Sequence, residues 1–168
     1  MPDDSSFTRP ATWEDVALLA RLFAKHEVSW ALIGGYAIAA HGFVRFSEDV
    51  DVLVDPSPEN ARRWIAALSE LPDHAAAELS GQERLFEESG PYAVRINDEF
   101  TVDVMPAACG HTWEELAPHV EHKEIEDVRI PVLGLEGLLL TKEGMRDRDR
   151  ADAAVLRAAL ERLGRGSP

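Results

Sequence analysis

An apolar run, a Gly-Gly pair and an Asp-Val-Asp triplet follow one another within residues 31–54, ALIGGYAIAAHGFVRFSEDVDVLV. No other stretch restricts the fold as much. Residues 30–33 read as a short buried strand, and Gly34-Gly35 as a turn. Residues 36–41 follow as a short helix that ends near Gly42. Residues 49–54 alternate strictly and so read as a second strand. Glycines after a buried strand let the backbone approach an anion closely, and a helix N-terminus offers free N–H groups. By itself a Gly-Gly pair means only a tight strand–helix turn. The acidic pair downstream makes it informative.

Side chains alternate along a strand, so Asp49 and Asp51 share one face with Leu53, and Val50, Val52 and Val54 share the other. Two carboxylates on one face lie about 7 Å apart and repel. A strand tolerates this where a cation joins them or where water reaches both. A third acid comes from FTVDVMP, where Asp103 interrupts an apolar strand, a place where Asp is scarce. If that strand pairs beside residues 49–54, three carboxylates converge. Hard oxygen ligands on rigid strands suit Mg²⁺ or Mn²⁺. Such ions could activate an attacking oxygen and stabilise a leaving group in a phosphoryl displacement. The plainer reading of Asp-x-Asp alone is a half-exposed strand with a wet face.

The rest of the chain reads as support. Residues 1–11 are expected to be a flexible tail, and residues 12–168 one domain. Thr12 and Asp15 have the spacing of a capping box. Val16, Leu19, Ala20 and Phe23 then recur at helical spacing, which predicts a helix to about His26. Pro58 suits a first helical turn, and a helix is expected over 59–71. Residues 72–90 read as a loop with some helix. Residues 92–96 and 100–105 predict a hairpin around an Asn97-Asp98 turn. A helix over 113–120, strands over 121–125 and 128–132, and closing helices over 134–145 and 149–163 complete the expectation.

The chain has 168 residues, enough for one core. No apolar run reaches the roughly 18 residues of a membrane span. The polar start MPDDSSFTRP is unlike a signal peptide, and the single cysteine, Cys109, allows no internal disulfide. Both fit a reducing cytoplasm. With 17 basic and 31 acidic residues, the net charge is −14. That opposes long-range attraction to nucleic acid, although a local basic patch or bound Mg²⁺ can offset it. The six histidines lack zinc-like spacing with cysteine, and Trp13, Trp30, Trp64 and Trp113 read as core anchors.

The Gly-Gly turn, a dozen residues and Asp-x-Asp resemble the signature of the DNA polymerase β-like nucleotidyltransferase superfamily. Arg45 and Ser47 stand where the Arg-x-Thr-x-Asp-x-Asp form has Arg and Thr, and Asp103 matches the third metal carboxylate. The run IPVLGLEGLLLTKEGMRDRDRADAAVL resembles the closing segment of AbiE-type toxins of type IV toxin–antitoxin systems. There Lys142, Arg146, Asp149 and Asp152 match the order of Lys, Arg and Asp-x-x-Asp, with the Lys-to-Arg spacing one residue short.

The resemblance implies an α+β fold, a small mixed sheet flanked by helices and closed by C-terminal helices. It implies Mg²⁺-dependent transfer of a nucleoside monophosphate from an NTP, such as ATP, to an acceptor, with release of pyrophosphate. Asp49, Asp51 and Asp103 would be the metal-binding and catalytic residues, Asp103 helping to deprotonate the acceptor hydroxyl. Gly34, Gly35, Arg45, Ser47 and Lys142 would hold the nucleotide. The acceptor is a tRNA, a protein or a small molecule, and a cognate toxin or antitoxin partner belongs to the AbiE-like reading. The acidity weakens the tRNA option somewhat and suits a cationic aminoglycoside, while the toxin-like C-terminal segment pulls the other way. Two alternatives stand beside this one. The first is a catalytically silent module of the same fold that binds a nucleotide or a partner. The second, an Asp-x-Asp glycosyltransferase, leaves the Gly-Gly turn unexplained.

Overall fold

The computed structural model describes residues 8–142 and 147–166. Eight strands and seven helices are present among them. The first helix, α1 (Trp13–Lys25), starts at Thr12, whose hydroxyl accepts from the Asp15 N–H while Asp15 accepts from the Thr12 N–H. The capping box satisfies donors that a helix start leaves free. Val16, Ala17, Leu19, Ala20 and Phe23 form its buried stripe. Of the tail expected over 1–11, Arg9 donates from its backbone to Glu99 and Ala11 to Glu48. Arg9 also grips the Asp15 carboxylate, at 2.9 Å for Nη2.

Strand β1 (Trp30–Ile33) leads into α2 (Gly34–Ala40), then β2 (Val50–Val54) and α3 (Pro58–Leu68). Ser57 caps α3 through the Asn60 N–H, with Pro58 in the first turn. This helix ends three residues before the expected Leu71, where the Ser69 hydroxyl donates back to the Ile65 carbonyl. Residues 72–90 hold a 3₁₀ turn (Ala75–Leu79) and α4 (Leu85–Ser89).

The hairpin is β3 (Val94–Asn97) and β4 (Thr101–Met105). Its turn is not Asn97-Asp98. Asn97 pairs with Thr101, so the loop is residues 98–100. Asp98 decides this. Its buried carboxylate accepts from the Asp73, Ala75 and Glu99 N–H groups, which pins the residue to the neighbouring 3₁₀ turn. A minimal ribbon, β5 (Ala107–Ala108) and β6 (His111–Thr112), was not expected. It turns through Cys109 and Gly110, both at positive φ.

Of the helix expected over 113–120, only α5 (Trp113–Leu116) is α-helical. The 3₁₀ turn Ala117–His119 follows, because Pro118 has no N–H to continue the ladder. Strands β7 (Val120–Ile125) and β8 (Val128–Leu133) then form a hairpin. Helix α6 (Leu135–Leu140) is shorter than the expected 134–145. Thr141 turns its hydroxyl onto the Leu138 carbonyl, and Lys142 lies in the following turn. The last helix is α7 (Asp147–Gly166).

Six strands form one mixed sheet in the order β3-β4-β2-β1-β8-β7. The pairs β2–β4 and β1–β8 are parallel, and the other three are antiparallel. This is the small mixed sheet with flanking and closing helices that the resemblance implied. Val50, Val52, Leu53 and Val54 are fully buried, so β2 is covered on both faces, and Asp51 is the polar exception. Helix α2 packs on β1 and β2, α1 on α3 and β8, and α6 on α7. Trp64 and Trp30 are buried in the core, and Trp13 stacks edge-on against Tyr36. Among the described residues no helix is long and apolar enough to cross a membrane.

Candidate active site

Parallel pairing of β2 with β4 sets Asp51 directly beside Asp103. Antiparallel pairing of β4 with β3 sets Asp103 beside Arg95. On the other side Asp51 faces Ile33, the last residue before the Gly-Gly turn. One row across the sheet therefore reads Arg95, Asp103, Asp51, Ile33. Directly opposed residues share a sheet face. The polar part of this row, Arg95, Asp103 and Asp51, is the base of a cleft of about 490 Å³, whose lining also includes Gly35, Arg45, Ser47, Asp49 and Lys142. The structure thus brings together seven of the eight residues expected to hold metal or nucleotide.

The eighth, Gly34, lies beneath. A Cβ on it would stand 2.3 Å from Asp51 Oδ2, and its φ is +71°, a region side chains disfavour. A Cβ on Gly35 would stand 2.7 Å from the Ser47 Cβ. The two glycines let the α2 backbone close against Asp51 and the loop of Ser47. Ser47 donates its hydroxyl to the Asp49 carbonyl at 2.8 Å, shaping the approach to β2.

The carboxylates are short of positive charge. Asp51 is pushed up from 3.8 to about 7, first by burial, then by the charges of Asp103 and Asp49. Asp49 is also raised, by burial and then by Asp103, against the opposing pull of Arg95. The cation that meets them is Arg95, which sequence reasoning did not single out. Its Nε donates to Asp103 Oδ1 at 2.9 Å, and its Nη2 to Asp103 Oδ2 at 3.1 Å and to Asp49 Oδ2 at 3.3 Å. The signal was present as a basic residue inside the first hairpin strand. An Asn97-Asp98 turn would have set Arg95 opposite Phe100 and hidden it.

A second charged group closes the far side. Lys142 Nζ lies 3.3 Å from Asp152 Oδ2, and both side chains are about nine-tenths buried. Arg45 Nε lies 3.3 Å from Asp152 Oδ1. Arg45 therefore pairs with Asp152. The late-helix acid holds two basic residues at the cleft, and the Lys142 charge reaches Asp51. Arg146 lies outside the described residues, as does the side chain of Asp149.

The donor chemistry fits a hard divalent cation, since three carboxylates share one cleft and two of them are raised by mutual proximity and burial. Among the described residues no three such groups are gathered at ligating distance. Asp49 and Asp103 are turned to Arg95 instead.

The sequence model of the aminoglycoside-2''-adenylyltransferase family matches residues 15–156. The chain belongs to that family. Membership puts it in the polymerase β-like nucleotidyltransferase superfamily and makes it an enzyme of the nucleotidyltransferase kind. Solved structures agree on the fold. The lincosamide antibiotic adenylyltransferase LnuA, in a lincomycin-bound structure, is 15% identical with a TM-score of 0.53, over 88% of this chain and 98% of that one. A putative nucleotidyltransferase from Thermotoga maritima is 16% identical with a TM-score of 0.56, over 89% and 92%. An antigenic nucleotidyltransferase-like protein from Paracoccidioides brasiliensis is 14% identical with a TM-score of 0.50, over 89% and 78%. No curated protein matches the chain. In this aminoglycoside-2''-adenylyltransferase family member, the residues matched span every element of the cleft, from α1 into α7.

Proposed function

We propose that this protein transfers the adenylyl group of ATP to a hydroxyl of a cationic small molecule of the aminoglycoside type, using a divalent metal held by Asp49, Asp51 and Asp103. The observation that carries this reading is Asp51 set beside Asp103 at the base of a cleft that also holds Asp49, Lys142 and Arg45. The family's description names an adenylyltransferase of aminoglycosides. The net charge of −14 suits a cationic acceptor and opposes a polyanionic one.

In this reading the acceptor oxygen forms a bond to the α-phosphorus as the bond to the bridging α–β oxygen breaks. Pyrophosphate departs with that electron pair, and the hydroxyl proton passes to the carboxylate of Asp103. Lys142 offers a compact charge to phosphate oxygens, and Arg45 a planar one. Gly34 keeps a side chain out of the space beside Asp51, and Gly35 out of the space beside Ser47. A divalent ion would supply charge neutralisation at the phosphates and at the leaving oxygen. The protein's own part is positioning and electrostatics.

The test is incubation with each radiolabelled NTP and Mg²⁺ against separate aminoglycoside, tRNA and protein pools, with pyrophosphate release followed in parallel. Label from ATP in the aminoglycoside pool is the expected result. Label in the tRNA or protein pool overturns the acceptor and favours the AbiE-like reading. Nucleotide binding with no pyrophosphate release overturns the enzyme and leaves a silent binding module.

A further inference from the structure

Arg95 is placed at the reacting carboxylates by the fold and has no part in the mechanism above. It lies on β3, one of the two edge strands of the sheet, next to β4. Its side chain is 60% exposed, against 13% for Asp103 and 37% for Asp49. The guanidinium thus covers two acids from the solvent side. It takes both oxygens of Asp103 and one of Asp49. A metal that uses Asp103 must share or displace that fork.

The fork is well made for its present partners. A guanidinium presents paired N–H groups that match a carboxylate, which a lysine cannot reproduce. It is also free to leave, because an exposed edge-strand arginine swings into solvent without opening the core. Like charges on Asp49, Asp51 and Asp103 would repel with no cation present. A tethered cation therefore holds the row together and competes for it.

We propose that Arg95 is a built-in counter-cation that occupies Asp49 and Asp103 in the metal-free protein and is exchanged for the divalent metal when nucleotide arrives. The inference rests on the metal-dependent reading given above. Metal alone must compete with a guanidinium that is always at hand. Metal that arrives with a triphosphate brings anionic oxygens, which give the released guanidinium a new partner. Loading then depends on nucleotide, and metal without nucleotide binds weakly.

The experiment is a Mn²⁺ titration followed by the electron paramagnetic resonance signal of the free ion, with and without a non-hydrolysable ATP analogue. It is run on the wild type, Arg95→Gln, Arg95→Lys and Asp51→Asn. Without nucleotide, Arg95→Gln is expected to bind Mn²⁺ on the order of tenfold more tightly than the wild type. Arg95→Lys falls between the two, keeping the charge and losing the fork. The gain in affinity on adding the analogue shrinks in Arg95→Gln. In chelator, Arg95→Gln melts below the wild type, because its acids have lost their partner.

Equal or weaker Mn²⁺ binding by Arg95→Gln, with the wild type binding normally, overturns the exchange alone. Mn²⁺ binding that survives Asp51→Asn undiminished, or is absent from the wild type even with the analogue, overturns the metal reading and the exchange together.

Discussion

Gly34 lies directly against the carboxylate of Asp51, so closely that a Cβ at position 34 would stand 2.3 Å from Oδ2 and 3.0 Å from the Asp51 Cβ. The first turn of α2 and the acid on β2 share one small space. Strand β1 carries both, since Ile33 pairs with Asp51 just before the turn.

Gly34→Ala is therefore expected to cost about 1–3 kcal/mol from the positive φ alone, with the collision added. It also displaces Asp51. Thermal melting should show the loss of stability, and nucleotide binding by calorimetry should fall with it. A variant as stable and as active as wild type would rule out this close approach.

Asp51→Asn is expected to abolish transfer and, in chelator, to stabilise the protein at neutral pH. The sign follows from the raised carboxyl. Below about pH 3.8 Asp51 is protonated in both states, and it has no effect on stability. Between 3.8 and about 7 the unfolded chain loses the proton and the folded one keeps it, so stability falls as pH rises. Above 7 the penalty is complete. The asparagine removes it, a gain on the order of 2 kcal/mol after allowance for solvent. Urea denaturation at pH 4.0 and pH 8.0 checks this: the two proteins should nearly coincide at the first and separate at the second.

Asp152→Asn takes the shared partner from Lys142 and Arg45. The pair with Lys142 is about nine-tenths buried on both sides, and breaking such a pair costs about 3 kcal/mol. The two basic side chains lose their alignment toward the cleft. Steady-state kinetics should show KM for the nucleotide rising several-fold with a smaller fall in kcat. A fall in kcat with KM unchanged would instead put Asp152 in the chemical step.

Arg9→Ala tests whether the segment before α1 is part of the fold. The Asp15 carboxyl is raised by burial, but the bonds from Arg9 and Thr12 outweigh this and hold it below 3.8. Its contribution is present above pH 3.8 and is lost as pH falls through the lower folded value. The variant should lose about 1 kcal/mol at pH 7, and the gap should close in acid. Equal acid-unfolding curves for both proteins would refute the tie. Thr12→Ala should cost about 1 kcal/mol through the cap.

Much of the cleft was legible in the sequence because its parts carry local signals. The Gly-Gly turn, the alternation of Val50 to Val54 and the isolated acid in FTVDVMP each speak within a few residues. Capping at Thr12 and the turn at Pro58 were legible for the same reason. The helix over 113–120 was read too long where Pro118 cuts the ladder, and the hairpin register was read wrongly because Asp98 is held by residues from another segment. The observed register is what sets Arg95 beside Asp103. A shift of three residues in register decides whether it faces Asp103 or Phe100.

The sequence alone determined most of the elements and the glycines and carboxylates of the site, since period, turn chemistry and caps are written in neighbouring positions. Only the tertiary structure decided that β4 lies parallel beside β2, that Asp51 meets Asp103, that Arg95 closes the row and that Asp152 joins Lys142 to Arg45. Strand order and register arise from packing between segments far apart in the chain, and no local pattern specifies them.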